Sequence, residues 1–141
     1  MTPVIVDTGP LVAFLSSRDR HHAWTKNELA KVNPPLLTCE GVLSEAAFLL
    51  RGQPGGPAAV LELVSRKLVA IRFDLQAEVN AVGKLMERYK SVPMSLADAC
   101  LVRMSETIPR ALVLTIDSDF SIYRRNRRQA IPLIAPPGGR R

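Results

Sequence analysis

The spacing of apolar and polar positions changes several times along the chain between a strand-like and a helix-like period. Pro3 to Val6 is a short apolar run ending in Asp7-Thr8-Gly9-Pro10, the pattern of a buried strand followed by a turn and a helix start. Arg18 to Val32 is polar with Trp24, Leu29 and Val32 interspersed, which predicts a surface helix stopped by Asn33-Pro34-Pro35. Leu36-Leu37-Thr38 follows as a second strand. From Glu40 to Leu50 the apolar positions Val42, Leu43, Ala46, Ala47, Phe48 and Leu50 recur at helical spacing, until Arg51-Gly52-Gln53-Pro54-Gly55-Gly56 breaks the run. Pro57 to Ser65 reads as a helix with proline in its first turn, Leu68 to Phe73 as a strand, and Asp74 to Lys90 as a helix. Ser95-Leu96-Ala97-Asp98 has the form of a capping box opening a helix to Thr107. Ala111 to Ile116 is a strong strand candidate running into Asp117-Ser118-Asp119, a short amphipathic turn and a basic run. Ile131 to Ala135 is the last short strand.

Strands that alternate with helices predict an α/β fold, a three-layer α/β/α sandwich with a mostly parallel central sheet and right-handed crossovers. The length of 141 residues fits one domain, expected over residues 1–135, with 136–141 as a flexible basic tail. In such sheets ligands sit at the carboxyl ends of the strands. Asp7 and Asp117 occupy that position by sequence.

Composition changes the picture in two ways. Hydrophobic residues at 47% and charged residues at 23% suit an ordinary folded core, and no apolar run reaches the roughly 20 residues of a membrane helix. Met1 to Phe14 carries Asp7 and no basic flank, so neither a signal peptide nor a membrane span is expected, and the location expected is cytoplasmic. The 19 Lys and Arg against 13 Asp and Glu, a net +6, favour polyanionic partners, although solubility alone would also account for them. Cys39 and Cys100 lack a C-x-x-C spacing and read as reduced, buried thiols.

An ionised carboxylate is costly to bury and survives in apolar surroundings only when paired, hydrogen-bonded or bound to metal. Asp7, Glu45, Asp98 and Asp117 stand in such surroundings. Each has an ordinary structural explanation: a turn start for Asp7, the end of a capping box for Asp98, a helix flank for Glu45, and a polar loop for Asp117 with Asp119. Read together, two strand-end and two helix carboxylates converging on one crevice demand a cation, and an all-oxygen set suits Mg2+ or Mn2+. Zinc is disfavoured, because the adjacent His21 and His22 lack a third partner and read as surface residues. Sequence patterns for a nucleophile elbow and a phosphate-binding glycine loop are absent. A phosphoaspartate mechanism at Asp7 would want a second aspartate where Gly9 stands.

At these motifs the chain resembles the PIN-domain nucleases, and among them the compact toxins of VapC type. The residues that carry the resemblance are Val4-Ile5-Val6-Asp7-Thr8, Val42-Leu43-Ser44-Glu45, Leu96-Ala97-Asp98-Ala99 and Leu114-Thr115-Ile116-Asp117-Ser118-Asp119-Phe120, spread over nearly the whole chain. The resemblance implies that Asp7, Glu45, Asp98 and Asp117 form the acidic cluster, with Asp7, Asp98, Asp117 and an auxiliary Asp119 on the metal and Thr8 hydrogen-bonding inside the site. Glu40 rivals Glu45, but its place in a first helical turn is explained by the helix dipole. The implied activity is Mg2+- or Mn2+-dependent hydrolysis of RNA leaving a 5′-phosphate and a 3′-hydroxyl. The implied partners are a small antitoxin and a second copy in a homodimer. An acidic site repels its own polyanion, so Arg124, Arg125, Arg127 and Arg128 are expected to bind flanking phosphates, or else to be a solvated charge run. The competing class is the same fold with a weak or silent site, acting as an RNA- or protein-binding module.

Overall fold

A computed structural model describes residues 2–138. Five strands form one parallel sheet in the order β3-β2-β1-β4-β7: β1 is Val4–Val6, β2 Leu36–Thr38, β3 Val69–Ile71, β4 Leu112–Leu114 and β7 Leu133–Ile134. The register sets Ile5 opposite Leu37 on one side and Val113 on the other, so β1 is the central strand and all three of its residues are buried. Helices cover both faces of a sheet of this kind, which is why its central strands are apolar throughout and do not alternate.

The helices are α1 (Thr8–Leu15), α2 (His22–Leu29), α3 (Glu40–Leu49), α4 (Gly56–Ser65), α5 (Leu75–Arg88) and α6 (Leu96–Thr107). Helices α1 to α4 pack among themselves and α5 packs on α6. With right-handed crossovers, the chain steps from β1 outward to β3 over one face and returns to β4 over the other. The strand order therefore reverses between β1 and β4, and the crevice of a doubly wound sheet opens at the carboxyl ends of those two strands.

Local chemistry explains where the helices begin. Asp7 caps α1 by accepting from the Thr8 amide at 2.7 Å, Asp74 caps α5 through the Ala77 amide, and Ser95 caps α6 through the Asp98 amide at 3.0 Å. Before α4, Gly55 takes a left-handed φ of 69°, and a Cβ on Gly56 would collide with the Leu50 backbone. Around the sheet Leu11, Leu50, Leu101, Met104, Phe120 and Tyr123 fill the core.

Three expectations change. The helix expected over Arg18 to Val32 is confined to α2, because the stretch before it is held in turns by Asp19 N–H donating to the Ser16 carbonyl and His22 N–H donating to the Asp19 carbonyl. The basic run, for which no element was expected, forms a hairpin: β5 (Arg124–Arg125) pairs antiparallel with β6 (Gln129–Ala130), turning through left-handed φ angles at Asn126 and Arg127. Of the expected tail at 136–141, Pro136 is buried, and residues 139–141 lie outside the described residues. Among the described residues no helix is long and apolar enough to cross a membrane.

Candidate active site

Asp7 leaves β1 with its amide bonded to the Leu114 carbonyl of β4 at 3.0 Å. Its Oδ1 accepts from the Thr8 amide and its Oδ2 from the Thr115 hydroxyl, both at 2.7 Å. The Thr115 oxygen in turn accepts from the Asp117 amide at 2.9 Å, and Asp117 Oδ1 accepts from the Asp119 amide at 2.9 Å, which turns the chain into a 3-10 helix over Ser118–Ser121. One buried hydroxyl thus ties the two strand-end acids together. Sequence reasoning missed Thr115, although a lone polar residue inside the apolar Leu114-Thr115-Ile116 must find a partner.

The helix acids are placed by other donors. Glu45, exposed on α3, accepts at Oε1 from the Thr8 hydroxyl at 3.0 Å, so Thr8 positions that carboxylate. Asp98, half-buried in the first turn of α6, accepts at Oδ2 from the Tyr123 hydroxyl at 2.8 Å. Tyr123 is fully buried and wedged edge-on between Phe120 and Tyr89, with ring centroids 5.1 and 5.2 Å away. It too went unread, as a tyrosine in a basic run signals no partner.

All five acids line one open cleft of about 510 Å³, together with Thr8 and three residues of the α1–α2 loop, Asp19, Arg20 and His21. Glu40 is exposed on the first turn of α3 and lies outside the cleft lining. A second recess, about 300 Å³ between α1, α2, α4 and the β2–β3 edge, is apolar apart from Lys26 and presents no acid.

Charges in the cleft act on one another. Burial first, then the Asp98 charge, push the Asp7 carboxyl up from 3.8 to about 7, with Asp117 adding to the rise against the hydrogen bonds from Thr115 and Thr8. Burial also raises Asp98; the Tyr123 and Ser95 hydroxyls pull it back, while Asp117 and Glu45 push it further up. A cation would relieve the like charges that raise Asp7 and Asp98. The donors are carboxylate and hydroxyl oxygens, which in kind fit a hard divalent ion. Among the described residues, no three His, Cys, Asp or Glu side chains are already drawn into one ligating shell.

None of the four arginines expected to bind flanking phosphates lines the cleft. Arg124 Nη1 donates to the carbonyls of Ser121, Ile122 and Tyr123 at 2.8 to 3.2 Å, closing the 3-10 turn. Arg125 Nε is buried without a partner, and Arg127 faces a recess with Lys84, Arg88 and Arg103 between α5 and α6. Arg128 is exposed on the hairpin, and none of the four lines the acidic cleft. The histidines are not plain surface residues, because α2 packs on α1 and half-buries both. His22 Nδ1 donates to the Ala13 carbonyl at 2.7 Å, and His21 Nε2 is buried with no partner. Cys39 and Cys100 are buried free thiols, as expected.

The PIN domain family model matches residues 4–126. Among solved structures, VapC20 from Mycobacterium tuberculosis, a toxin that cleaves the sarcin-ricin loop, superposes with a TM-score of 0.69 at 20% sequence identity, over 78% of this chain and 86% of that one. No curated protein matches the chain in sequence.

Proposed function

The chain belongs to the PIN domain family, and from that premise we propose that it is a metal-dependent endoribonuclease, the toxin of a toxin–antitoxin pair. The observation that carries this reading is the gathering of Asp7, Glu45, Asp98, Asp117 and Asp119 from β1, α3, α6 and the end of β4 into one cleft at the strand-order reversal. The VapC20 likeness lends the toxin assignment its support, with a small antitoxin and a second copy of the chain as partners. The unit that does this is a single domain over residues 1–135.

Asp7, Asp98 and Asp117 would hold Mg2+ or Mn2+, with Asp119 as an auxiliary ligand. Bound there, such an ion would supply stabilisation of the negative charge that develops on a phosphate and its leaving oxygen. The chain's own residues do the rest. Thr115 fixes the facing of Asp7 and the path of Asp117, Thr8 holds Glu45, and Tyr123 orients Asp98. Asp98 or Asp117 orients the attacking water. Its oxygen adds to phosphorus as it gives up a proton, the bond from phosphorus to the 3′-oxygen breaks, and the 3′-oxygen takes up a proton, leaving a 5′-phosphate and a 3′-hydroxyl. Arg124, Arg125, Arg127 and Arg128 lie outside the cleft lining, so any hold they have on RNA falls on phosphates beyond the cleft.

The test is degradation of an end-labelled structured RNA with Mg2+, with Mn2+ and with EDTA, comparing the protein with its Asp98→Asn variant. Metal-dependent cutting by the first alone is the expected result. Absence of cutting by a folded wild type with either metal, or cutting that survives both Asp98→Asn and Asp7→Ala, overturns the reading. Expression of the wild type, but not of Asp98→Asn, is expected to arrest growth.

A further inference from the structure

The acidic cleft has a deficit that the hairpin arginines do not fill. Six acids line it, namely Asp7, Asp19, Glu45, Asp98, Asp117 and Asp119, and the only lysine or arginine among its lining residues is Arg20. A polyanion entering such a cleft is repelled unless a cation inside it meets a phosphate.

Arg20 stands on a loop of six residues, 16–21, built to hold it still. Ser16 N–H donates to the Val12 carbonyl at 2.9 Å, Asp19 N–H to the Ser16 carbonyl at 3.1 Å, and His22 N–H to the Asp19 carbonyl at 3.0 Å. Asp19 Oδ1 accepts from the His21 amide at 2.8 Å, and the His22 ring is anchored on Ala13. Asp19 is therefore spent on the loop's own backbone. The Arg20 side chain is exposed, and the five ion pairs among the described residues all use other cations. Arg20 thus combines a pinned backbone, a place in the cleft wall and a guanidinium with no acid partner among the described residues. A guanidinium presents a planar fork of donors that matches two phosphate oxygens, which an ammonium does not.

We propose that Arg20 grips the RNA phosphate next to the scissile one and so holds the strand against the acidic cleft. This rests on the nuclease reading for its substrate, and it places a phosphate contact on the α1–α2 loop, inside the cleft that the 124–128 hairpin does not line. Arg20 is a substrate-binding residue here and takes no part in bond breaking, so its loss raises KM more than it lowers kcat.

The test uses a 5′-fluorescein single-stranded RNA 12-mer and fluorescence anisotropy in Mg2+ from 50 to 300 mM KCl, with Asp98→Asn as the uncut background. Adding Arg20→Ala is expected to weaken binding about five- to tenfold at 100 mM and to flatten the plot of log affinity against log salt by about 0.7, the share of one phosphate on a single strand. Arg20→Lys should restore the slope and only part of the affinity. Arg66→Ala, which removes a cation paired with Glu62 on α4, controls for net charge. An unchanged slope in Arg20→Ala, or an equal flattening in Arg66→Ala, overturns the proposal. The two readings fail separately: an Arg20-dependent slope in a wild type that cuts nothing refutes the nuclease and leaves the grip, and cutting with an Arg20-independent slope does the reverse.

Discussion

Replacing Asp7 by asparagine should make the metal-free protein more stable while removing its activity. Asp7 is 6% exposed, and its carboxyl is raised from 3.8 to about 7 by burial and then by Asp98. A carboxyl that holds its proton more tightly folded than unfolded gives a definite sign. Below pH 4 both states are protonated and nothing is lost; between about 4 and 7 the unfolded chain releases a proton that the folded chain keeps, so stability falls as pH rises. At about 1.4 kcal/mol for each tenfold in proton affinity, that interval sets an upper bound of about 4 kcal/mol above pH 7. The amide keeps the size and an acceptor for the Thr8 amide, while the Thr115 hydroxyl must reverse, at a cost of about 1–2 kcal/mol. A net gain of about 2 kcal/mol remains, or about 6–8 °C in Tm for a chain of this size. The assay is thermal unfolding in EDTA from pH 4 to 8.5. The gap between Asp7→Asn and wild type should be negative by about 1 kcal/mol at pH 4, change sign as pH rises and reach its full positive value above pH 7. Saturating Mg2+ should then raise the wild type alone, by about 2.7 kcal/mol at a hundredfold excess over Kd. An asparagine variant less stable than wild type at pH 8 in EDTA, or a gap that does not change with pH, would refute the argument.

Other residues give further tests. Tyr123→Phe removes the donor that lowers Asp98, so the acid limb of metal-dependent cleavage should move to higher pH, with a stability loss of about 1 kcal/mol in urea unfolding. An unshifted limb would mean that Tyr123 serves packing only. Thr115→Val leaves Asp7 Oδ2 and the Asp117 amide without their partner, and should cost about 1–3 kcal/mol and most of the cleavage rate. Full activity with normal metal dependence would show that the hydroxyl does not place the strand-end acids. Gly56→Ala drives a Cβ into the Leu50 backbone and should lose about 2–4 kcal/mol, read as a lower urea midpoint at unchanged slope; a neutral result would mean that the 50–56 turn yields easily.

Much of the architecture was legible because its causes are local. Short apolar runs, Asp7 after β1, Pro34-Pro35 before β2, and the caps at Asp7, Asp74 and Ser95 act within a few positions of themselves. The strand-end acids were readable for the same reason: each follows an apolar run where a parallel sheet opens its crevice. What holds the acids was not. The Thr115 bond to Asp7 joins residues 108 apart, and the Tyr123 bond to Asp98 joins residues 25 apart. Periodicity reports which face a side chain takes, not which partner it meets there. Arg124, Arg125, Arg127 and Arg128 stand out because a run of like charges is conspicuous in sequence, whereas Arg20 is one cation in a polar stretch and its place in the cleft wall shows only when its loop folds.

The placement of charge completes the argument for what the cleft receives. The ion pairs among the described residues join Lys31 to Glu28, Arg66 to Glu62, Lys90 to Glu87, and Arg103 to Glu78 and Glu106, on helices or just past their ends, and none of these residues lines the cleft. Asp7, Glu45 and Asp98 are held instead by amide and hydroxyl donors. A neutral donor fixes where a carboxylate points without cancelling its charge, so these three acids are positioned and their field is preserved. A salt bridge at the same place would have stabilised the fold and removed the attraction for a cation. The chain as a whole carries +6, so a polyanion is drawn to the molecule at long range and meets concentrated negative charge only at the cleft. That combination fits the proposed nuclease, whose substrate arrives as a polyanion, and Arg20 is the one Lys or Arg among the described residues that line the cleft.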